Sequence, residues 1–167
     1  MAEAVQIRVA GPEDTQTVVR LWEELMSHHL EHDPRFAMVE NAPEVYERFL
    51  RGVFEKDEYA VLLAEKDERG VGYAILAILD NPAVFHLSCY GFLSEMCVSR
   101  ETRGEGVGRL LWDRAVRWFK GRGVDVIQLN VAVLNQSGER FWRSVGCQDY
   151  LHVLWYDIPK SIPGEGL

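Results

Sequence analysis

The chain has no long hydrophobic run and no excess of positive charge, and each absence excludes a class of protein. Its longest apolar run, residues 71–79, is about half the length that a membrane-spanning helix needs. The N-terminus, Met1-Ala-Glu-Ala, has neither the basic region nor the apolar core of a signal peptide. The net charge of −8 argues against nucleic acid or an anionic membrane surface as a partner. We therefore expect one globular domain over residues 1–167.

Cysteine is also scarce. Cys89, Cys97 and Cys147 are odd in number and show no C-x-x-C spacing, which favours reduced thiols in the core of a cytoplasmic protein. A catalytic cysteine is the alternative, but the sequence places no histidine to activate one.

The hydrophobic pattern predicts alternating strands and helices in a mixed sheet with helices on its faces. The predicted strands are residues 5–9, 58–64, 71–79, 91–98, 124–133 and 150–158, with a hairpin turn at 66–70. The predicted helices open at Gly11-Pro12-Glu13-Asp14, at Pro43, at Gly106 and at Gln136.

The most informative stretch is Val98-Ser-Arg-Glu-Thr-Arg103-Gly104-Glu-Gly106-Val-Gly108-Arg109. A strand here leads through a glycine-rich turn into a helix, an arrangement that directs unpaired N–H groups and the positive end of the helix dipole at an anion. The stretch lacks the Gly-Lys-Ser/Thr of a mononucleotide loop and the third glycine of a dinucleotide loop. Arg103, Gly106 and Gly108 instead form the pattern R-x-x-G-x-G.

A second motif lies downstream, at Asn135-Gln-Ser-Gly-Glu-Arg-Phe141-Trp142-Arg-Ser-Val-Gly146-Cys147. With the glycine loop it resembles the GNAT superfamily of acetyl-CoA-dependent N-acetyltransferases, and the resemblance extends from about residue 5 to residue 158. Asn135, Phe141 and Gly146 match the family pattern, whereas Gly138, Trp142 and Cys147 replace its Ala, Tyr and Phe.

The resemblance implies the order β-α-α-β-β-β-α-β-α-β and a centrally splayed sheet, with the pantetheine arm of acetyl-CoA in the gap between two diverging parallel strands. It implies direct attack by an amine, without an acetyl-enzyme; no metal is expected either, because the residues offer no complete metal site. The cofactor-binding residues that it implies are Met96, Cys97 and Val98 through their backbone, the loop residues Arg103, Gly104, Glu105, Gly106, Val107, Gly108 and Arg109, and Asn135, Phe141 and Trp142.

For the chemistry, Glu95 is the candidate base, because it lies where the family often carries an acid; an exposed or salt-bridged glutamate is the alternative. A backbone N–H near Val98 is the expected donor to the oxyanion. The usual general acid of the family is replaced by Trp142, whose indole is too weak an acid to protonate a thiolate. Tyr150 is the candidate replacement, Tyr156 a second one, and water a third.

The acceptor is expected to be a small cationic amine, because residues 1–70 carry sixteen acidic against eight basic residues; acidity that serves only solubility is the alternative. His28 and His32 have metal-ligand spacing beside Asp33, but no second cluster completes a metal site, so contact with substrate is the other interpretation. A non-catalytic acyl-CoA sensor or partner subunit remains the alternative function, and the choice between monomer and homodimer is left open.

Overall fold

The computed structural model describes residues 4–159 as one five-stranded sheet with helices on both faces. The strands are β1 (Gln6–Val9), β2 (Tyr59–Lys66), β3 (Arg69–Asp80), β4 (Cys89–Val98) and β5 (Ile127–Leu129), and the helices are α1 (Thr15–His32), α2 (Ala42–Phe54), α3 (Val107–Lys120) and α4 (Gln136–Ser144). The strands lie in the order β1-β2-β3-β4-β5, antiparallel except for the parallel pair β4 and β5.

The hairpin between β2 and β3 confirms the turn predicted at 66–70. Asp67 and Glu68 both have positive φ, 49° and 60°, as the two central residues of a type I′ turn require. The turn pairs Lys66 with Arg69.

Two hydrophobic cores lie on opposite faces of the sheet: one packs against α1 and α2 (the α1/α2 core), and the other packs against α3 (the α3 core). Alternate residues of β3 divide between them: Tyr73 and Ile75 face α1 and α2, while Ala74 and Leu76 face α3. On the α3 side, Leu111 and Phe119 are completely buried. The sheet is therefore covered on both faces along its central strands.

A β-bulge interrupts β4 in the middle of the sheet. Ile75 pairs with Glu95 and Leu76 with Leu93, so Ser94 is an extra residue. A bulge reverses the alternation of side chains beyond it. Leu93 consequently packs in the α3 core, whereas Glu95 meets side chains of the α1/α2 core and lies on the face opposite Met96.

The sheet is splayed between its two parallel strands, as the family resemblance implies. Only Gly91 to Leu93 pair with Ile127 to Leu129. The rest of β4, residues 94–98, has β3 on one side and no strand of the described chain on the other. We call this second side the open edge of β4.

Two predicted strands differ from the structure. The predicted strand 124–133 is reduced to Ile127–Leu129, because β5 diverges from β4 and loses its ladder. The predicted strand 150–158 is wrong: those residues form neither helix nor strand and are exposed. β-Branched and aromatic residues favour a strand, but a strand also needs to pair with a neighbour, and residues 150–158 pair with no described strand. Across residues 4–159, no helix is both long and apolar enough to cross a membrane.

Candidate functional site

The glycine loop between β4 and α3 has the backbone that the sequence predicts for an anion site. Gly104 and Gly106 both adopt φ of +85°, the left-handed conformation that favours glycine, and an added Cβ at either would meet no atom within 4 Å. These two glycines therefore allow the chain to make the turn, and the space beside them is open. Leu110 donates the first hydrogen bond of α3, to Gly106 O, so the N–H groups of residues 107–109 precede the helical ladder.

Gly108 has a different role from the other two glycines of the loop. An added Cβ would lie 3.3 Å from Phe141 Cε2 and 3.6 Å from Val98 Cγ2. Gly108 thus lets Phe141 of α4 pack against the first turn of α3, while the Val107 side chain is buried in the α3 core. The predicted loop and the downstream motif are brought together at this contact.

The charged residues of the loop have different partners. Arg103 Nε donates to Val98 O at 3.2 Å, and Arg109 Nε donates to Asp113 at 3.1 Å. Both arginine side chains remain exposed. The Glu105 carboxylate pairs with Lys66 Nζ at 2.6 Å, so its contribution to a cofactor would be through the backbone. Arg103 and Arg109 are therefore the cations of the loop that an anion can reach.

The open edge of β4 presents backbone groups from alternate residues. Ser99 donates its N–H to Val71 O at 2.8 Å, and peptide groups point to alternate edges along a strand. The groups of Cys97 therefore face β3, and those of Met96 and Val98 face the open edge. Of the three residues predicted to hold a pantetheine arm, Met96 has both peptide groups available and Val98 has its N–H, because Val98 O already accepts from Arg103; the groups of Cys97 belong to the β3 ladder.

The α4 residues of the downstream motif pack as a structural unit. Asn135 Oδ1 caps α4 by accepting from Gly138 N at 2.9 Å. Trp142 makes edge contacts with Phe141 and Trp112, with ring centroids 4.9 and 5.6 Å apart, and packs against the α3 core. Trp142 is therefore a packing residue in this structure.

Glu95 lies in a polar cluster that the bulge directs into the α1/α2 core. Its Oε2 accepts from Tyr46 OH of α2 at 2.6 Å and from Tyr73 OH of β3 at 2.7 Å. Both tyrosines are buried, and Trp22 of α1 stacks on Tyr46 at 4.1 Å. The exposed or salt-bridged glutamate considered for this position is not what the structure contains, because Glu95 is half-buried and no cation among residues 4–159 pairs with it.

Burial raises the pKa of Glu95, and the hydrogen bonds from Tyr46 and Tyr73 oppose that rise without cancelling it. Both bonds go to Oε2. Within the described chain, every fully buried side-chain nitrogen or oxygen has a hydrogen-bond partner. Oε1 has none, so it is the carboxylate oxygen that reaches solvent. The arrangement therefore fixes one oxygen and leaves the other able to accept a proton.

Two other candidate groups at the site have shifted pKa values. Burial, with the charge of Glu24 adding to it, raises the pKa of Cys97 to about 12, which argues against the catalytic-cysteine alternative. Burial and the nearby charge of Arg103 lower the pKa of His28, whose ring lies beside the Asn135 side chain.

Two histidines of α1 are in contact: the rings of His28 and His32 meet edge to face, with their centroids 4.8 Å apart. Asp33 caps the following turn by accepting from Arg35 N. Over residues 4–159, no group of three or more histidine, cysteine or acidic side chains is placed to hold a metal ion.

The candidate acids are exposed tyrosines. Tyr150 and Tyr156 are 79% and 80% exposed, and neither forms a hydrogen bond or ring contact with a described residue.

Sequence reasoning missed Tyr46 and Tyr73 as partners of Glu95. They lie 49 and 22 residues from it in the chain, and each also fits a simple core pattern.

Comparison with known proteins identifies a family pattern and a shared fold. The model of the acetyltransferase (GNAT) family matches residues 20–147. An uncharacterized N-acetyltransferase of Archaeoglobus fulgidus is 26% identical over 140 residues, which cover 84% of this chain and 90% of that protein.

Two solved structures show the same fold as this chain. Aminoglycoside N-acetyltransferase AAC(6')-Iy in complex with CoA has a TM-score of 0.76 at 18% identity, covering 95% of this chain and 96% of that one. A predicted acetyltransferase from Clostridium acetobutylicum with acetyl-CoA has a TM-score of 0.76 at 19% identity, covering 92% and 96%. The mixed sheet flanked by helices, expected from the sequence, is thereby confirmed.

Proposed function

The chain belongs to the acetyltransferase (GNAT) family and is an acetyl-CoA-dependent acyltransferase, and from that premise we propose that it acetylates a primary amine by direct attack on the thioester. The observation that carries the proposal is the position of Glu95. This half-buried carboxylate has one oxygen held by two tyrosines, and it lies one residue before Met96 and three before Val98, whose peptide groups face the open edge.

The residues present fit acetyl-CoA. The space above Gly104 and Gly106, the N–H groups that begin α3 and the exposed Arg103 and Arg109 suit a diphosphate. The Met96 and Val98 peptide groups suit an extended arm that hydrogen-bonds like an added strand. Phe141, Trp142 and Asn135 would wall the same groove from α4, and acetyl-CoA would supply the acetyl group as a thioester.

Glu95 is proposed as the general base. An amine attacks only when neutral, so the ammonium form must first lose a proton, and Oε1 of Glu95 is the oxygen available to take it, directly or through water. The raised pKa of Glu95 makes it a better base than an exposed carboxylate. The N–H of Val98, which faces the open edge, is the proposed donor to the oxygen of the thioester carbonyl.

After attack, the carbon–nitrogen bond forms, the carbon–sulfur bond breaks and CoA leaves as a thiolate that takes up a proton. We propose Tyr150 as the proton donor, with solvent and Tyr156 as the competing sources. Trp142 does not compete, because its indole N–H is too weak an acid.

The proposed acceptor is a small cationic amine. The structural relative AAC(6')-Iy is an aminoglycoside acetyltransferase, and aminoglycosides belong to this chemical class. Some of the sixteen acidic side chains of residues 1–70 are already paired, since Arg8 pairs with Asp14 and Glu65, and Arg100 with Glu31. The attraction for a cation would therefore come from the remaining acids. We further propose that residues 1–167 act as one cytoplasmic domain, in keeping with the reduced thiols.

The test is release of CoA thiol from acetyl-CoA across polyamines, aminoglycosides, amino acids and peptide N-termini. We expect turnover with a polyamine or an aminoglycoside and a fall in kcat/KM as salt screens the attraction. Glu95→Gln should lower kcat about 100-fold or more. Glu58→Gln, which changes an exposed glutamate of the α2–β2 connection, should leave kcat unchanged.

Two results would count against this proposal. A chain that binds acetyl-CoA but releases no thiol with any amine would be the acyl-CoA sensor considered above. A Glu95→Gln enzyme with the wild-type rate would remove Glu95 from the mechanism while leaving the acyltransferase assignment intact.

A further inference from the structure

Two aromatic residues of β4, Tyr90 and Phe92, lie on the same face of the sheet as Glu95. Gly91, between them, faces α3, since a Cβ added to it would lie 2.6 Å from the Phe119 ring. Side chains alternate along a strand, so Tyr90 and Phe92 face the α1/α2 side, where the bulge also directs Glu95. Both rings are half-buried, and neither is part of the two cores that residues 4–159 form.

The ladder with β3 sets the distance between Glu95 and the nearer ring. Glu95 pairs with Ile75, and Phe92 pairs with Ala77. Ile75 and Ala77 are two residues apart on one strand, so Glu95 and Phe92 project from the sheet about 7 Å apart. Tyr90 follows after about another 7 Å. A carbon chain that extends from an amino group at Glu95 along this face would therefore contact Phe92 first and Tyr90 next.

One flank of α2 lies over the same part of β4. Helix α1 contacts the chain just beyond the end of β4, where Glu24 accepts from Arg100 N. Helix α2 contacts the middle of β4, where Tyr46 donates to Glu95. The flank of α2 that points away from α1 is therefore directed at the residues of β4 that precede Glu95.

That flank of α2 carries two exposed apolar side chains, Val45 and Phe49. The flank toward α1 is occupied by Glu47 and Arg51, which line a cavity together with the first residues of α1. At about 100° per residue, Val45 and Phe49 lie nearly opposite them. They are 43% and 44% exposed, and the Phe49 ring lies 5.6 Å from the ring of Tyr46, between centroids. Apolar side chains of the helix and of the strand thus border Glu95 on the same side.

We propose that these side chains bind the hydrocarbon body of the acceptor, and that the acceptor is a primary amine with an alkyl or aryl-alkyl chain rather than an amino sugar. The inference rests on the proposed function of Glu95 as the base. The amino group would lie at Glu95, and the rings would remove the carbon chain from water. An amino sugar would instead place hydroxyl groups against the rings, where they lose their hydrogen bonds to water. We name the aromatic flank of Glu95 by its members: Val45, Phe49, Tyr90 and Phe92.

The first test is the dependence of kcat/KM on chain length, measured with ethylamine, butylamine, hexylamine and octylamine and compared with glucosamine. Each methylene that becomes buried should raise kcat/KM about threefold. Phe92→Ala and Phe49→Ala should each lower kcat/KM for octylamine at least about tenfold and leave ethylamine near wild type, because its chain is too short to reach the rings. Phe49 is exposed, so Phe49→Ala stays informative if Phe92→Ala does not fold. Val9→Ala is the control: Val9 is 48% exposed on the edge strand β1, so the series should be unchanged.

Binding measured without turnover separates this inference from the proposed function. Calorimetry on the full chain loaded with CoA should show that hexylamine binds at least about tenfold more tightly than ethylamine, and Phe49→Ala should reduce that ratio. This result supports the aromatic flank even if no CoA thiol is released, an outcome that would count against the proposed function alone. Turnover that does not depend on chain length, or that favours glucosamine over hexylamine, overturns the aromatic flank and leaves acyl transfer intact. An unchanged chain-length dependence in both variants overturns it too, because the carbon chain would then bind elsewhere.

Discussion

The two faces of the sheet differ in what they bury, and the difference separates folding from chemistry. The core against α3 is built from apolar side chains such as Leu111 and Phe119. The core against α1 and α2 contains the hydroxyls of Tyr46 and Tyr73 and the carboxylate of Glu95. Burying a carboxylate has a cost that an apolar side chain avoids, so the polar cluster is better explained by function than by stability.

The β4 bulge produces this difference. In a regular strand, Leu93 and Glu95 would share a face, and the carboxylate would enter the apolar α3 core. The extra residue, Ser94, sends the two side chains to opposite faces. We therefore expect a division of roles between the two faces. Substitutions on the α3 face should change folding and cofactor binding, and substitutions on the α1/α2 face should change turnover.

The largest effect is expected in the α3 core. Leu111→Ala should lower the free energy of unfolding by about 3 kcal/mol, because Leu111 is completely buried and its truncation leaves a cavity. Urea unfolding measures the change, and the rate per folded molecule should stay near wild type. The neighbouring Leu110 is exposed, and Leu110→Ala should cost less than about 0.5 kcal/mol. Equal losses from the two variants would contradict the packing described for α3.

Much of this architecture follows from the sequence, because periodicity and glycine placement are local signals. The order of elements through α4, the hairpin turn at 66–70 and the loop before α3 are visible in short stretches of residues. The predicted strand at 150–158 is wrong because strand propensity is a local property and does not ensure that a neighbouring strand pairs with it. The same limit applies to residues 124–126 and 130–133, which have strand composition but lose the ladder where β5 diverges.

The site was less predictable than the fold. Glu95 could be selected from the sequence as a candidate base, and its orientation opposite Met96 follows from strand alternation. Its partners Tyr46 and Tyr73 come from α2 and β3, and the bulge that brings them together depends on the register of β3 with β4. Register is a long-range property, and a single sequence carries no local signal for it.

The next largest effect is expected for a substitution in the glycine loop, which leads into α3 and is the proposed binding site of the cofactor diphosphate. Gly108→Glu should weaken acetyl-CoA binding at least about 100-fold, because a carboxylate beside the N-terminus of α3 repels phosphate. The added Cβ also presses on Phe141. Calorimetry measures the affinity, and circular dichroism checks folding. Gly52→Glu is the control, since Gly52 lies in α2 with open space around it. Unchanged affinity in a folded Gly108→Glu chain would contradict the cofactor assignment.

A smaller effect is expected from the tyrosines on the other face. Tyr46→Phe and Tyr73→Phe each remove a hydrogen bond to the ionised Glu95, so each should raise the pKa of that carboxyl further. A base works only when deprotonated, and the acidic limb of kcat/KM should therefore move to higher pH. On that limb the loss should be about tenfold, the value of one hydrogen bond to a charged group. Tyr59→Phe, which alters a half-buried tyrosine of β2, should leave the limb in place. A lower rate with an unmoved limb would indicate a packing role only.

The smallest effect is expected for the proton donor. A thiol is a fairly strong acid, with a pKa of about 8.5, so its thiolate leaves with little help and a missing donor should cost only a few-fold in kcat. Tyr150→Phe should show this loss with KM unchanged, whereas Trp142→Phe should retain the wild-type kcat because Trp142 packs between Trp112 and Phe141. Tyr156→Phe under the same conditions separates the two tyrosines. Wild-type kcat in both tyrosine variants would assign the proton to solvent. A larger loss in Trp142→Phe than in Tyr150→Phe would mean that the α3 face takes part in turnover, and would break the division between the two faces.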